Sequence, residues 1–149
     1  MKIAAILASA IALAGAAAAA PIESRQDNSS YPECGPTTGA FYYPSSVTVS
    51  EPFALRFCSG TYFKTSSKSI TLAISAAGDT NLDRAVILTD ELTSPDYKTY
   101  DFEAVVPKTM FTFPEETYLI VVEKTNDYYV KSSYAITTGQ INVVTPKSS

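Results

Sequence analysis

Asp79, Asn81, Asp83 and Asp90 occupy positions 1, 3, 5 and 12 of the stretch DTNLDRAVILTD, the spacing at which a calcium loop places its oxygen ligands. The sixth position of such a loop is a glycine that turns sharply; here it is Arg84, whose charge opposes a cation. RAVILTD reads as a strand, and an extended Arg84–Thr89 segment carries Asp90 about 20 Å from the turn. AAGDTN is therefore expected to be a hairpin turn rich in Gly, Asp and Asn. No metal and no cofactor is expected.

Two acidic pairs, Asp90-Glu91 and Glu115-Glu116, have the residue type for general acid and base work. Adjacent residues of a strand point to opposite faces, so neither pair converges on a substrate and both read as solvated turn charges. Lys64 and Lys68 lie beside serines in TYFKTSSKS, which reads as an exposed loop where a lysine keeps its charge and is no base. The chain holds no histidine, which excludes Ser-His-Asp and Cys-His units and every imidazole zinc site. Tryptophan is absent as well, and with it the strongest stacking platform for a cation. Carboxylates alone do run some hydrolases, but no catalytic residue is assigned and the chain is not expected to be an enzyme.

The ten tyrosines point to contact rather than catalysis. Tyr42-Tyr43 and Tyr128-Tyr129 sit beside turn signals, and neighbours in a strand place one of each pair outward. Outward tyrosines are amphipathic contact residues, or else they cover sheet edges. Asn28-Ser-Ser30 is an N-glycosylation sequon.

These residues are carried by a chain patterned for export and for β-structure. MKIAAILASAIALAGAAAAA has one positive charge, an apolar run from Ile3 to Leu13 and a small-residue tract: a secretory signal peptide over residues 1–20. Residues 21–37 form a polar N-terminal tail or a short pro-segment trimmed after Arg25. The C-terminal VVTPKSS lacks the apolar tail of a GPI signal, so a secreted, extracellular, monomeric product without a membrane anchor is expected. A net charge of −4 gives no electrostatic footprint for nucleic acid. In an oxidising compartment Cys34 and Cys58, the only two cysteines, are expected to pair. Closing that loop stabilises by about 3 kcal/mol in the chain-entropy picture.

From Thr38 onward the apolar residues recur with period two. Val47 and Val49 alternate in SSVTVS, Phe53, Leu55 and Phe57 in FALRFC, and Ile70, Leu72 and Ile74 in SITLAIS. Tyr100, Phe102, Ala104 and Val106 alternate against Asp101 and Glu103. TYLIVVEK is apolar on both faces, as in a strand covered from both sides. YVKSSYAI and QINVV read as two further strands. Turn signals such as SEPF, LTSPD and TTGQ separate the runs. Residues 38–146 are thus expected to be one all-β, immunoglobulin-like sandwich of roughly seven to nine antiparallel strands. With Phe53, Leu55 and Phe57 inward, Cys58 faces outward, and its bridge would pin the segment PECG to the outside or edge of a sheet.

The order YPSSVTVSEPFALRF at 43–57, YDFEAVVP at 100–107 and ETYLIVVEKTNDYY at 116–129 resembles the fungal Kre9/KNH-like extracellular domain. The resemblance implies an immunoglobulin-like module of a secreted fungal protein associated with cell-wall polysaccharide, and it carries over no catalytic residue. The function expected is a non-enzymatic module that binds polysaccharide. The alternative is a secreted effector or protease-inhibitor-like protein that binds another extracellular protein.

Overall fold

The computed structural model describes residues 30–36, 38–60, 65–75, 79–108, 112–129 and 132–147. The signal segment, Asn28 and Lys64 lie outside the described residues. Eight strands follow in chain order: β1 Ala40–Tyr42, β2 Ser46–Thr48, β3 Pro52–Cys58, β4 Thr65–Ser75, β5 Ala85–Leu92, β6 Thr99–Val105, β7 Thr117–Asp127 and β8 Ser133–Val144. A three-stranded sheet of order β1-β3-β6 packs against a five-stranded sheet of order β2-β8-β7-β4-β5. Among the described residues, no helix is long and apolar enough to cross a membrane.

This order is the immunoglobulin arrangement, with the first strand divided between the sheets and, among the described residues, no strand on the outer side of β6. The chain leaves β1, crosses at Tyr43-Pro44, and lays β2 parallel to β8; the other pairings are antiparallel. It then turns at Ser50, whose φ of 68° lies in the left-handed region, and returns to the smaller sheet as β3. The amide of Ser50 donates to the carbonyl of Val106 at 2.8 Å and holds that turn against the end of β6.

Alternation sets the core. Phe53, Leu55 and Phe57 of β3 and Tyr100, Phe102 and Ala104 of β6 face Ile70, Leu72 and Ile74 of β4 and Leu119 and Val121 of β7 across the sandwich. Val47, Val49, Val106 and Ile141 close its ends. Each fully buried aliphatic side chain contributes about 1.5–3 kcal/mol by leaving water. Tyr100 is 1% exposed, and its hydroxyl meets Ser67 Oγ at 2.6 Å, so the one polar atom of this core ring is satisfied.

Two strand assignments change. The runs read as YVKSSYAI and QINVV are one strand, β8, because Gly139 stays in register opposite Leu119 instead of turning the chain. Part of the loop expected at TYFKTSSKS is already β4: Ser67 is fully buried and pairs with Thr125, and a bulge beside it takes up the phase shift that masks the alternation in the sequence.

The disulfide joins Cys34 to Cys58, with Cα atoms 5.5 Å apart. Cys58 lies at the end of β3 on the outer face, in phase with Ala54 and Arg56, as the alternation requires. All three are shielded because the segment Tyr31–Cys34 lies over them as a strap. The Arg56 guanidinium donates to the Tyr31 and Pro32 carbonyls at 2.8 and 3.0 Å and grips both carboxylate oxygens of Asp101 at 2.6 and 2.9 Å. The Tyr31 hydroxyl donates to the Ala54 carbonyl at 3.1 Å, and its ring stacks on Tyr42 with centroids 5.8 Å apart. β3 is thereby covered on both faces.

Candidate functional site

Antiparallel pairing decides which connections share an end of the sandwich. β4 runs away from Thr65, β5 returns to Leu92, and β7 arrives at Asp127 opposite Thr65, while Cys58 pairs with Thr99. The β3–β4, β5–β6 and β7–β8 connections therefore emerge together. Tyr128 and Tyr129 begin the β7–β8 connection and are 81% and 73% exposed. Their rings meet edge to face, centroids 5.2 Å apart and planes at 84°. The Tyr129 amide donates to Asp127 Oδ1 at 2.8 Å and fixes the turn at its base.

Tyr97, in the β5–β6 connection, joins them at this end with 61% of its surface exposed. Its φ of 57° is unusual for a residue with a large side chain and costs on the order of 1 kcal/mol. Asp96 offsets that strain. Its Oδ1 accepts from the Lys98 and Thr99 amides at 2.9 and 2.7 Å, and the Ser94 hydroxyl lies 2.6 Å away. Burial opposes the Asp96 charge, yet the hydrogen bonds from Ser94, Thr99 and Lys98 outweigh it and hold the carboxyl far below the usual carboxylate range.

The tyrosine pair at β1 belongs elsewhere. Tyr42 points outward and stacks on the strap, whereas Tyr43 points inward and packs on Phe41 with centroids 4.7 Å apart. The Tyr43 ring lies over Gly139, where a Cβ would overlap its hydroxyl, so β8 needs glycine at this position. Phe41, Tyr43 and Phe57 form the apolar wall of a cleft of about 480 Å³ between the sheets, beside the edge strand β1. Glu123 and Thr137 line the opposite side. Glu123 is inward on β7, in phase with Leu119 and Val121, and 7% exposed. Ser59 Oγ donates to its Oε1 at 2.5 Å. Among the described residues no donor reaches its second oxygen, and no cationic side chain pairs with it.

Glu123, Ser59, Phe41 and Tyr97 are site residues that no motif in the sequence marks. Glu123 carried a signal: it continues the inward phase of YLIVVEK, where an acid is out of place. Tyr97 carried none, since its exposure follows from a loop conformation.

The other candidates separate. Asp79 Oδ1 accepts from the Asn81 amide at 2.9 Å and Asn81 Oδ1 from the Asp83 amide at 3.0 Å, two successive side-chain turns leading into a short 3-10 turn at Leu82–Arg84. Asp90 is far along β5, where it accepts from Thr71 Oγ1 at 2.7 Å. Asp79, Asn81 and Asp83 thus lie in the β4–β5 connection and Asp90 on β5, while residues 76–78 of the expected AAGDTN hairpin turn lie outside the described residues. Asp90 and Glu91 are exposed on β5, with Glu91 at a φ of 46°, and Glu115 and Glu116 are exposed before β7. Lys68 is exposed on β4. Among the described residues, no group of three or more acids or cysteines is arranged to hold a metal ion.

No family model matches the chain, and no curated protein matches it. Among solved structures it is similar to a superoxide reductase (neelaredoxin) from Ignicoccus hospitalis, with 18% identity and a TM-score of 0.47 over 72% of this chain and 80% of that one. It is also similar to murine CRIg, with 8% identity and a TM-score of 0.42 over 72% of this chain and 98% of that one. Nothing of either protein's chemistry transfers to this chain at such scores.

Proposed function

We propose that the chain is an exported, non-catalytic recognition module that docks on another extracellular protein through the loop end bearing Tyr97, Tyr128 and Tyr129. The observation that carries this reading is the exposure of those three rings on one end of a covalently fastened sandwich. Tyrosines held on short, pinned loops give large contact area at little entropic cost. Export is supported by the leader pattern and by a disulfide of the kind that persists in oxidising compartments. The absence of histidine and the separation of the acids among the described residues support a non-catalytic role.

The partner implied by the Kre9/KNH-like resemblance is polysaccharide, but ring geometry favours protein. A sugar chain stacks on faces that lie flat in line, whereas Tyr128 and Tyr129 stand at 84° to one another. A protein surface accepts rings in any orientation. The test compares the wild type with a Tyr128→Ala/Tyr129→Ala variant. Both are offered to a panel of purified secreted hydrolases, read by inhibition and by size-exclusion chromatography, and to insoluble β-glucan and chitin by sedimentation. The expected result is a saturable complex with a panel member, weakened at least tenfold in the variant. Sedimentation of the wild type with glucan or chitin, and no complex across the panel, would overturn the protein partner in favour of polysaccharide.

A further inference from the structure

We propose that the cleft between β1 and β8 is a second binding site, separate from the tyrosine loops, and that it takes a small organic ammonium ion at Glu123. Three properties of the cleft point to this chemistry. Its volume of about 480 Å³ is in the range of small-molecule sites, and its wall of Phe41, Tyr43 and Phe57 has the aromatic character such sites show. Its acid is buried: Glu123 is 7% exposed, on a strand whose neighbouring inward residues are Val121 and Thr125. A carboxylate in such surroundings is costly unless it is paired, and the hydroxyl of Ser59 satisfies one oxygen only. Glu123 lines the cleft, and its second oxygen has no donor among the described residues. An N–H of an ammonium group completes it.

The rings select for the same charge. Phe41 and Tyr43, 4.7 Å apart, and Phe57, 6.2 Å from Phe41, gather three rings along the cleft, and a cation that meets a ring face there is attracted to it. An anion meets repulsion from both the acid and the rings. A neutral apolar ligand leaves the carboxylate unpaired. A primary ammonium gains the hydrogen bond and the ring contact together, and a quaternary ammonium gains only the latter. Binding is therefore ordered as primary above quaternary, with neutral analogues weakest.

The test uses the full mature protein with its disulfide intact, titrated with n-butylammonium chloride, tetramethylammonium chloride, n-butanol and sodium chloride at matched ionic strength. Backbone amide shifts in 15N-correlated NMR spectra report the site directly. Saturable shifts confined to Phe41, Ser59, Glu123 and Thr137 are expected with n-butylammonium, weaker ones with tetramethylammonium, and none beyond the salt control with n-butanol. Glu123→Gln keeps an acceptor for Ser59 and removes the charge, and it is expected to raise the dissociation constant at least tenfold. Phe41→Leu keeps the bulk and removes the π face, with a loss of roughly fivefold for both cations. Shifts that grow linearly without saturation, that appear equally in sodium chloride, or that survive Glu123→Gln in a folded variant overturn the site. Because the wild-type spectra stand alone, misfolding of either variant leaves the proposal open to refutation.

Discussion

Asp96 shows how much of the contact surface rests on one side chain. It accepts from two backbone amides and meets the Ser94 hydroxyl, and so holds Tyr97 in a conformation that a tyrosine rarely adopts. Because folding lowers the acidity constant's pKa, the folded state binds the Asp96 proton more weakly than the unfolded chain does. The stabilisation is complete above about pH 4, the ordinary carboxylate range, and is lost as pH falls through that range and below. Asp96→Asn keeps an acceptor without the charge. Chemical denaturation at neutral pH is expected to find the variant less stable by about 1 kcal/mol, the worth of hydrogen bonds to a largely exposed charge. The gap should begin to narrow as the pH falls below about 4 and go on narrowing well below that range, because the folded carboxyl still holds its charge there. A gap independent of pH would mean that the carboxylate charge has no part in pinning the loop.

The strap is the element whose role depends on several weak ties acting with one covalent bond. Arg56 spans it, with one nitrogen on two carbonyls and the others on Asp101. A lysine has no fork with which to reproduce that pattern. Arg56→Lys is expected to lower stability by about 1–2 kcal/mol and to speed reduction of the disulfide by dithiothreitol, because Cys58, now fully buried, becomes accessible once the strap lifts. Unchanged reduction kinetics would show that the bridge alone holds the segment. The outward placement of Cys58 was legible in the sequence, since FALRFC has a single phase and fixes both faces. So were the inward residues of β6 and, beyond the bulge, Ile70, Leu72 and Ile74 of β4. β1 was not, because AFY is too short to show a period, and the unity of β8 was hidden by Gly139, a residue that usually signals a turn but here makes room for Tyr43. One tyrosine of each pair was expected outward, which describes Tyr42 and Tyr43, whose inward member lines the cleft, whereas Tyr128 and Tyr129 are both exposed because they lie past the end of β7. The cleft itself arises between elements far apart in the chain, and no local pattern specifies it.

At the scale of the molecule, the sandwich is two sheets sewn together by a chain that changes sheet twice before β3. The bridge from Cys34 to Cys58 spans 24 residues and encloses both crossings. Pull the protein by its two ends, and tension entering at Cys34 passes through the sulfur atoms to Cys58, bypassing everything between. The backbone of β1, β2 and nearly all of β3 then cannot be drawn out while the bridge is intact. Single-molecule extension should reveal this as a contour length roughly 80 Å greater for the reduced than for the oxidised chain. Equal lengths in the two states would contradict it. Under tension the protein would keep the backbone of its first three strands slack, so that the stretch nearest the pulled N-terminal end is the part that cannot be unravelled.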